Sequence, residues 1–303
     1  MTDPYAPMRK FARLAGPTAP LGRVVIVFLI GEALIIFGPL LLLLFLPSQS
    51  AVDAFFDGQT PLTVSAQFAA FAIAAFGITY TVRRAHGRGF WSMVGPSPTQ
   101  AVTDMWRCAR AVFLVLLVQT LLPPWINLAD LAEVKPLLIW AAWLPIAVIV
   151  IIIQAGTEEL LFRGYLQQQF AALSSNKWVW MGLPSFLFGI GHYYNGWGPA
   201  DGLFYAIWAT CLGVACADLT ARTGSIGAAL GLHLSNNLFA LTLVGIKGWP
   251  STGLMLLLYP YDDPAKYDYS LAQFFTAGTL FELALSVLII ATMWLAARIA
   301  IRR

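Results

Sequence analysis

Long apolar runs alternate with short polar, proline-bearing segments along the whole chain. A bilayer-spanning helix needs about 20 mostly apolar residues. Eight runs approach that length, at 24–46, 62–82, 108–122, 137–154, 178–194, 203–219, 226–246 and 280–301. The pattern predicts an all-α, polytopic membrane protein with about eight transmembrane helices. The third and fourth runs are the least regular, because Pro123, Pro124 and Pro145 bound or interrupt them. The first run is too long for a signal-peptide core and no convincing cleavage site follows it, so it reads as a retained anchor. Residues 1–23 then form a cytoplasmic N-terminal segment and residues 24–303 one integral membrane domain.

Composition agrees. Of 303 residues, 59% are hydrophobic and 11% are charged. A soluble domain carries about 25% charged residues, so membrane lipids are the expected surroundings. The net charge of +3 is dispersed, and no basic stripe with interleaved aromatics points to nucleic acid. Cys108, Cys211 and Cys216 are odd in number and form no CxxC pair. They predict small buried hydrophobes rather than disulfides or a thiolate zinc site.

Lysine and arginine in the short loops set the orientation. Arg9, Lys10, Arg13 and Arg23 precede the first run. Arg83, Arg84, Arg88 and Arg107 lie between the second and third. Arg163 and Lys177, then Arg222, and finally Arg298, Arg302 and Arg303 mark the same side. The first loop carries Asp53 and Asp57 without a cation, and the loop 247–270 carries Asp262, Asp263 and Asp268 against two lysines. Both termini are therefore expected in the cytoplasm, with the plasma (inner) membrane as the site if the source is bacterial. Trp178 and Trp180 at one end of the fifth run, and Tyr193, Tyr194 and Trp197 at the other, are expected at headgroup level.

Polar clusters inside apolar runs default to functional hypotheses. Three stand out: Gly156-Thr157-Glu158-Glu159 through Arg163, Phe188 through His192, and His233-Leu234-Ser235-Asn236-Asn237. Two of the three histidines sit there; His86 lies in a basic loop and is expected to be solvated. Glu159 and Arg163 are four apart and can pair on one helical face. Glu158 points about 100° away and lacks a local cation, which suits a general acid or base. Phe188 and His192 share one face, as do His233 and Asn237. If the fourth helix continues to about Ala172, Glu158 and His192 each lie about 21 Å from the cytoplasmic turn of a hairpin. His233 lies only about 13 Å beyond Gly224, so the turn 223–225 must be recessed or its helix tilted. Asp218 and Arg222 are expected to pair. Glu32 and Glu282 have no motif around them and are expected to be structural or interfacial.

The order Glu-Glu-x-x-x-Arg, Phe-x-x-x-His, His-x-x-x-Asn resembles the CAAX protease and bacteriocin-processing family of intramembrane endopeptidases, related to the type II CAAX prenyl endopeptidases. The motif-bearing core covers about 137–246. The resemblance implies a peptidase of eight helices with a site sunk in the membrane and open to the cytoplasm. Glu158 and His192 would activate water, His233 and Asn237 would stabilise the oxyanion, and Glu159, Arg163 and Phe188 would support them. Its substrate would be a membrane-associated peptide or protein, prenylated or bacteriocin-like. No cofactor is expected for a glutamate mechanism. The alternative is zinc held by Glu158, His192 and His233, with an open water position. A transporter would bury similar groups but should show internal repeats, and none is visible. A non-catalytic scaffold or immunity protein would tolerate loss of Glu158. The chain ends in Ile-Arg-Arg and is not expected to be a CAAX substrate itself.

Overall fold

A computed structural model describes residues 3–16, 19–122 and 127–302. Pro123, Pro124 and Arg303 lie outside those residues. The described chain is helical apart from one small sheet. Helix α1 (Ala6–Arg13) buries Met8, Phe11 and Ala12. Helix α2 (Leu21–Phe37) tightens into a 3-10 run, Gly38–Phe45, where Pro39 withholds an N–H. Helix α3 (Gln49–Asp57) is capped by Ser48. Helix α4 (Pro61–Ala69) opens with a reciprocal Thr60–Thr63 capping box and leads into α5 (Phe71–His86). Helices α6 (Phe90–Val94) and α7 (Pro98–Gln119) follow.

The fourth apolar run behaves as the longer reading expects. Helix α8 (Leu137–Glu159) continues through a π-helical turn, Leu160–Gln167, into α9 (Gln168–Leu173). The composite helix is 37 residues long. A second π-helical turn, Trp178–Gly182, feeds α10 (Leu183–Gly191). Then come α11 (Pro199–Thr223), α12 (Gly227–Thr242), α13 (Leu271–Phe274) and α14 (Ala277–Ile301).

Among the described residues, five helices are long and apolar enough to cross a bilayer: Leu21–Phe45, Pro61–His86, Leu137–Leu173, Pro199–Thr223 and Ala277–Ile301. The other three expected spans are helical but differ. Helix α7 carries Asp104, Arg107 and Arg110, α12 has 16 residues, and α10 has nine after its π-helical turn. Apolar side chains face outward over the long helices, among them Leu29, Phe45, Phe76, Leu138, Leu288 and Ile299. That exposure fits a lipid solvent, in which helices satisfy their own backbone groups. The chain is an all-α polytopic membrane protein.

The all-α expectation needs one addition. Strands β1 (Glu133–Val134), β2 (Val244–Ile246) and β3 (Leu257–Tyr259) form a sheet in the order β1-β3-β2. Strand β1 is antiparallel to β3, with Val134 opposite Leu257; β2 is parallel to it, with Gly245 opposite Leu258. Lys247 Nζ meets Glu133 Oε2 at 2.9 Å across this sheet and holds that carboxyl below its ordinary range.

Small residues bring the helices of the site together, as in other membrane bundles. A Cβ on Gly227 or Gly231 would collide with the Ala101 or Met105 carbonyl of α7. A Cβ on Gly189 would collide with Ala206 and Thr210 of α11. The turn before α12 is recessed under protein. Gly224 ends α11 at φ +72°, and its added Cβ would stand 2.8 Å from the Pro7 carbonyl. Ile226 N donates to Val94 O at 3.0 Å. Helices α1 and α6 thus cover the turn, which answers why His233 comes so soon after it.

Several aromatic and ionic expectations are settled by packing. Asp218 pairs with Arg222 at 2.7 Å and also accepts from Tyr5 Oη and Trp294 Nε1. Trp178 is exposed, but Trp180 is buried edge-on against Tyr5, so Trp180 is a packing residue rather than a headgroup anchor. His86 is not simply solvated. Its Nε2 lies 2.9 Å from Tyr165 Oη, and the side chain is half-buried. The three cysteines are free; Cys108 and Cys216 are buried and Cys211 is partly so.

Candidate active site

One chain of polar contacts crosses the centre of the bundle. Asn236 Nδ2 donates to Asn237 Oδ1 at 3.0 Å, and Asn237 Nδ2 donates to Gln154 Oε1 at 2.9 Å. Gln154 Nε2 donates to Glu158 Oε1 at 2.8 Å. Glu158 Oε2 faces His233 Nε2 at 3.5 Å. His233 Nδ1 donates to Glu159 Oε1 at 2.9 Å. Arg163 Nη1 approaches that same oxygen at 3.3 Å, and Arg163 Nη2 donates to Gly213 O at 3.1 Å.

Local sequence explains the chain. Gln154, Glu158, Glu159 and Arg163 belong to one continuous helix, and the steps 154–158 and 159–163 each span four residues. The π-helical turn begins right after Glu159, and such turns commonly mark functional sites. It leaves Glu158 and Glu159 in α-helical register and buries Arg163 to 1% exposure. The guanidinium also stacks over Phe188, 4.5 Å from its centroid. Charges this deep are tolerated because each is paired or hydrogen-bonded.

Helix α10 contributes the second half. It stops at Gly191, so His192 sits at the helix terminus. His192 Nδ1 lies 2.8 Å from Phe188 O. A carbonyl only accepts, so Nδ1 carries the proton and Nε2 is left as the acceptor. Phe188 is the spacer between the two imidazoles: its centroid lies 4.4 Å from that of His192 and 5.8 Å from that of His233.

A cavity of about 620 Å³ brings together Glu158, His192, Phe188, Gln154, Asn236 and Asn237. Its apolar walls include Ile35 and Ile36 of α2, Phe68 of α4, and Ala240 and Leu241 of α12. Ile36 and Ile190, both in the lining, are also exposed at the surface. Glu158 and His192, expected at one depth, line the same cavity. His233 differs. It is 2% exposed, does not line the cavity, and stands behind Glu158 between the two carboxylates. Glu159 and Arg163 are also behind the wall, whereas Phe188 forms part of it.

Gln154, Asn236 and Glu32 are among the cavity groups that were not assigned from the sequence. Gln154 had a signal, since a lone amide four residues before Glu158 shares its face. Asn236 adjoins the assigned Asn237. Glu32 of α2 lines the cavity through tertiary packing alone, whereas Glu282 is exposed on α14.

His233 turns both ring nitrogens to carboxylates, and among the described residues no three His, Cys, Asp or Glu side chains converge as a metal-holding group.

Residues 140–239 match the family of type II CAAX prenyl endopeptidases, Rce1-like. All seven motif residues from Glu158 to Asn237 fall inside that segment. An uncharacterized protein of Bacillus subtilis (strain 168), YyaK, is 35% identical over 98 residues. That alignment covers 32% of this chain and 33% of the relative, so the chain matches about a third of the curated relative's length. No solved structure matches the chain.

Proposed function

We propose that this chain is an intramembrane endopeptidase that hydrolyses a peptide bond of a membrane-associated substrate with Glu158 as general base. The observation that carries the reading is the setting of Glu158. Its side chain is 11% exposed at the wall of a cavity shared with His192 and Asn237, and its Oε2 has no hydrogen-bond partner among the described residues. Glu158 Oε2 and His233 Nε2 face each other as two lone pairs unless a proton lies between them. The pair is thus built to exchange one.

In the proposed cycle a water in the cavity gives its proton to Glu158 as its oxygen bonds to the peptide carbonyl carbon. The His192 ring orients that water through Nε2. Negative charge grows on the carbonyl oxygen. The Asn237 amide has a second N–H beyond the one given to Gln154, and it supplies the oxyanion donor. Collapse breaks the C–N bond, and the proton on Glu158 passes to the leaving amine. Hydroxide ends on the new carboxyl group, and Glu158 is regenerated. In this arrangement His233 acts through Glu158 rather than on the oxyanion, a different role from the one implied by the resemblance. Glu159 and Arg163 hold His233 in place.

The apolar walls support a substrate that enters from the bilayer, and both lipid-modified and unmodified membrane peptides fit that chemistry. The test is cleavage of quenched peptides by purified protein in detergent. The panel holds a farnesylated CAAX peptide, an acyl-anchored peptide and a bacteriocin-type precursor. At least one should be cut by the wild type and none by Glu158→Ala or His192→Ala. Equal cutting by all three proteins would remove the assignment.

A further inference from the structure

Glu32 is a carboxylate that the proposed reaction does not use. It lies on α2, outside the matched segment, yet lines the same cavity as Glu158 and His192. Its Oε1 is buried and has no hydrogen-bond partner among the described residues. Its Oε2 points toward the end of α10, where a Cβ on Gly191 would stand 4.0 Å away. Glu158 is the other carboxylate in the lining of that cavity.

Among the described residues, no lysine or arginine lines this cavity. Arg163 is already engaged by Glu159 and the Gly213 carbonyl. Two carboxylates looking into one low-dielectric space repel each other. An acid in a membrane span without a partner is costly and marks a ligand path by default. A positive group carried by the ligand answers both demands.

We infer that Glu32 is a specificity residue that receives an ammonium or guanidinium group of the bound peptide, within a few residues of the bond presented to Glu158. The neighbouring Ile35, Ile36, Phe68 and Phe71 make the rest of the wall apolar. The favoured peptide is therefore a basic residue set in an apolar stretch. The inference rests on the endopeptidase reading for the word substrate, but its binding test does not need turnover.

The test uses full-length protein in detergent and the Glu158→Gln background, which cannot turn over under the proposed mechanism. Dye-labelled, N-palmitoylated apolar peptides carry lysine, norleucine or glutamate at one position scanned along the sequence. Fluorescence anisotropy reads their affinities. At one position lysine should bind about tenfold tighter than norleucine, the effect of one partly desolvated ion pair, and glutamate weaker than both. Adding Glu32→Gln should bring lysine and norleucine within about twofold. Equal or undetectable binding of the lysine and norleucine peptides, read with Glu32 intact, overturns the inference even if Glu32→Gln fails to fold. A lysine preference that survives Glu32→Gln overturns it as well. Cleavage by the wild type is followed in parallel. A lysine preference without any cleavage would count against the endopeptidase reading and leave the Glu32 assignment standing.

Discussion

His233 donates from Nδ1 to Glu159 Oε1 at 2.9 Å while its Nε2 stands 3.5 Å from Glu158 Oε2, so one buried imidazole joins two adjacent carboxylates that point apart on their helix. Removing the ring leaves Glu159 with one partner fewer and Glu158 Oε2 without the nitrogen that faces it. His233→Ala should therefore lose activity and also about 3 kcal/mol of stability, the usual cost of breaking a buried charged contact. Thermal unfolding in detergent, read beside peptide cleavage, checks both. Loss of activity with unchanged stability would place His233 in the cavity rather than behind it.

Asn237 gives the contrasting case. It is half-buried and lines the cavity, and its known bonds are to neighbouring amides. Asn237→Ala should cost about 1 kcal/mol in stability. Its activity should fall by about 10²-fold or more if its spare N–H meets the oxyanion. A kcat close to wild type would move the oxyanion donor elsewhere, with Asn236 the next candidate in the same cavity.

The Arg163 fork divides its contacts between Glu159, Gly213 O and the Phe188 ring. A lysine offers one point charge and cannot hold all three. Arg163→Lys should lower stability by about 2 kcal/mol, and a double-mutant cycle with Glu159→Gln should show coupling of about 1–3 kcal/mol. Additive effects would mean that the 3.3 Å pair carries no energy of its own.

Helix α1 is expected to support the site from a distance. Phe11 is fully buried, Gln168 Nε2 donates to its carbonyl at 2.9 Å, and Pro7 lies against the Gly224 turn from which α12 begins. Phe11→Ala should destabilise by about 3 kcal/mol and raise hydrogen exchange at 223–230. Unchanged exchange there would show that α1 does not hold the turn.

Much of the site was legible because its logic is local. Four-residue spacing on one helix is enough to pair Glu159 with Arg163 and to separate Glu158 from both. Counting rise along a hairpin placed Glu158 and His192 at one depth. What escaped was tertiary. Glu32 reads as a lone acid until α2 packs against α5 and the π-helical turn that follows α8. Trp180 reads as an interfacial ring until Tyr5 arrives from the N-terminal segment to cover it. The position of His233 depends on a turn hidden beneath α1 and α6, which no periodicity in α12 records. Five of the eight expected spans are long and apolar enough on their own; of the other three, α7 carries three charges, and α10 and α12 are short.

The most direct test of the account is hydrolysis in ¹⁸O-labelled water. A peptide identified as cleaved is incubated with the wild type or Glu158→Gln in detergent, with and without a metal chelator, and the new carboxyl terminus is read by mass spectrometry. The account predicts one ¹⁸O in the wild-type product, unchanged by chelator, and no product from Glu158→Gln. Equal product from Glu158→Gln, or activity abolished by chelator and restored by zinc, would contradict it.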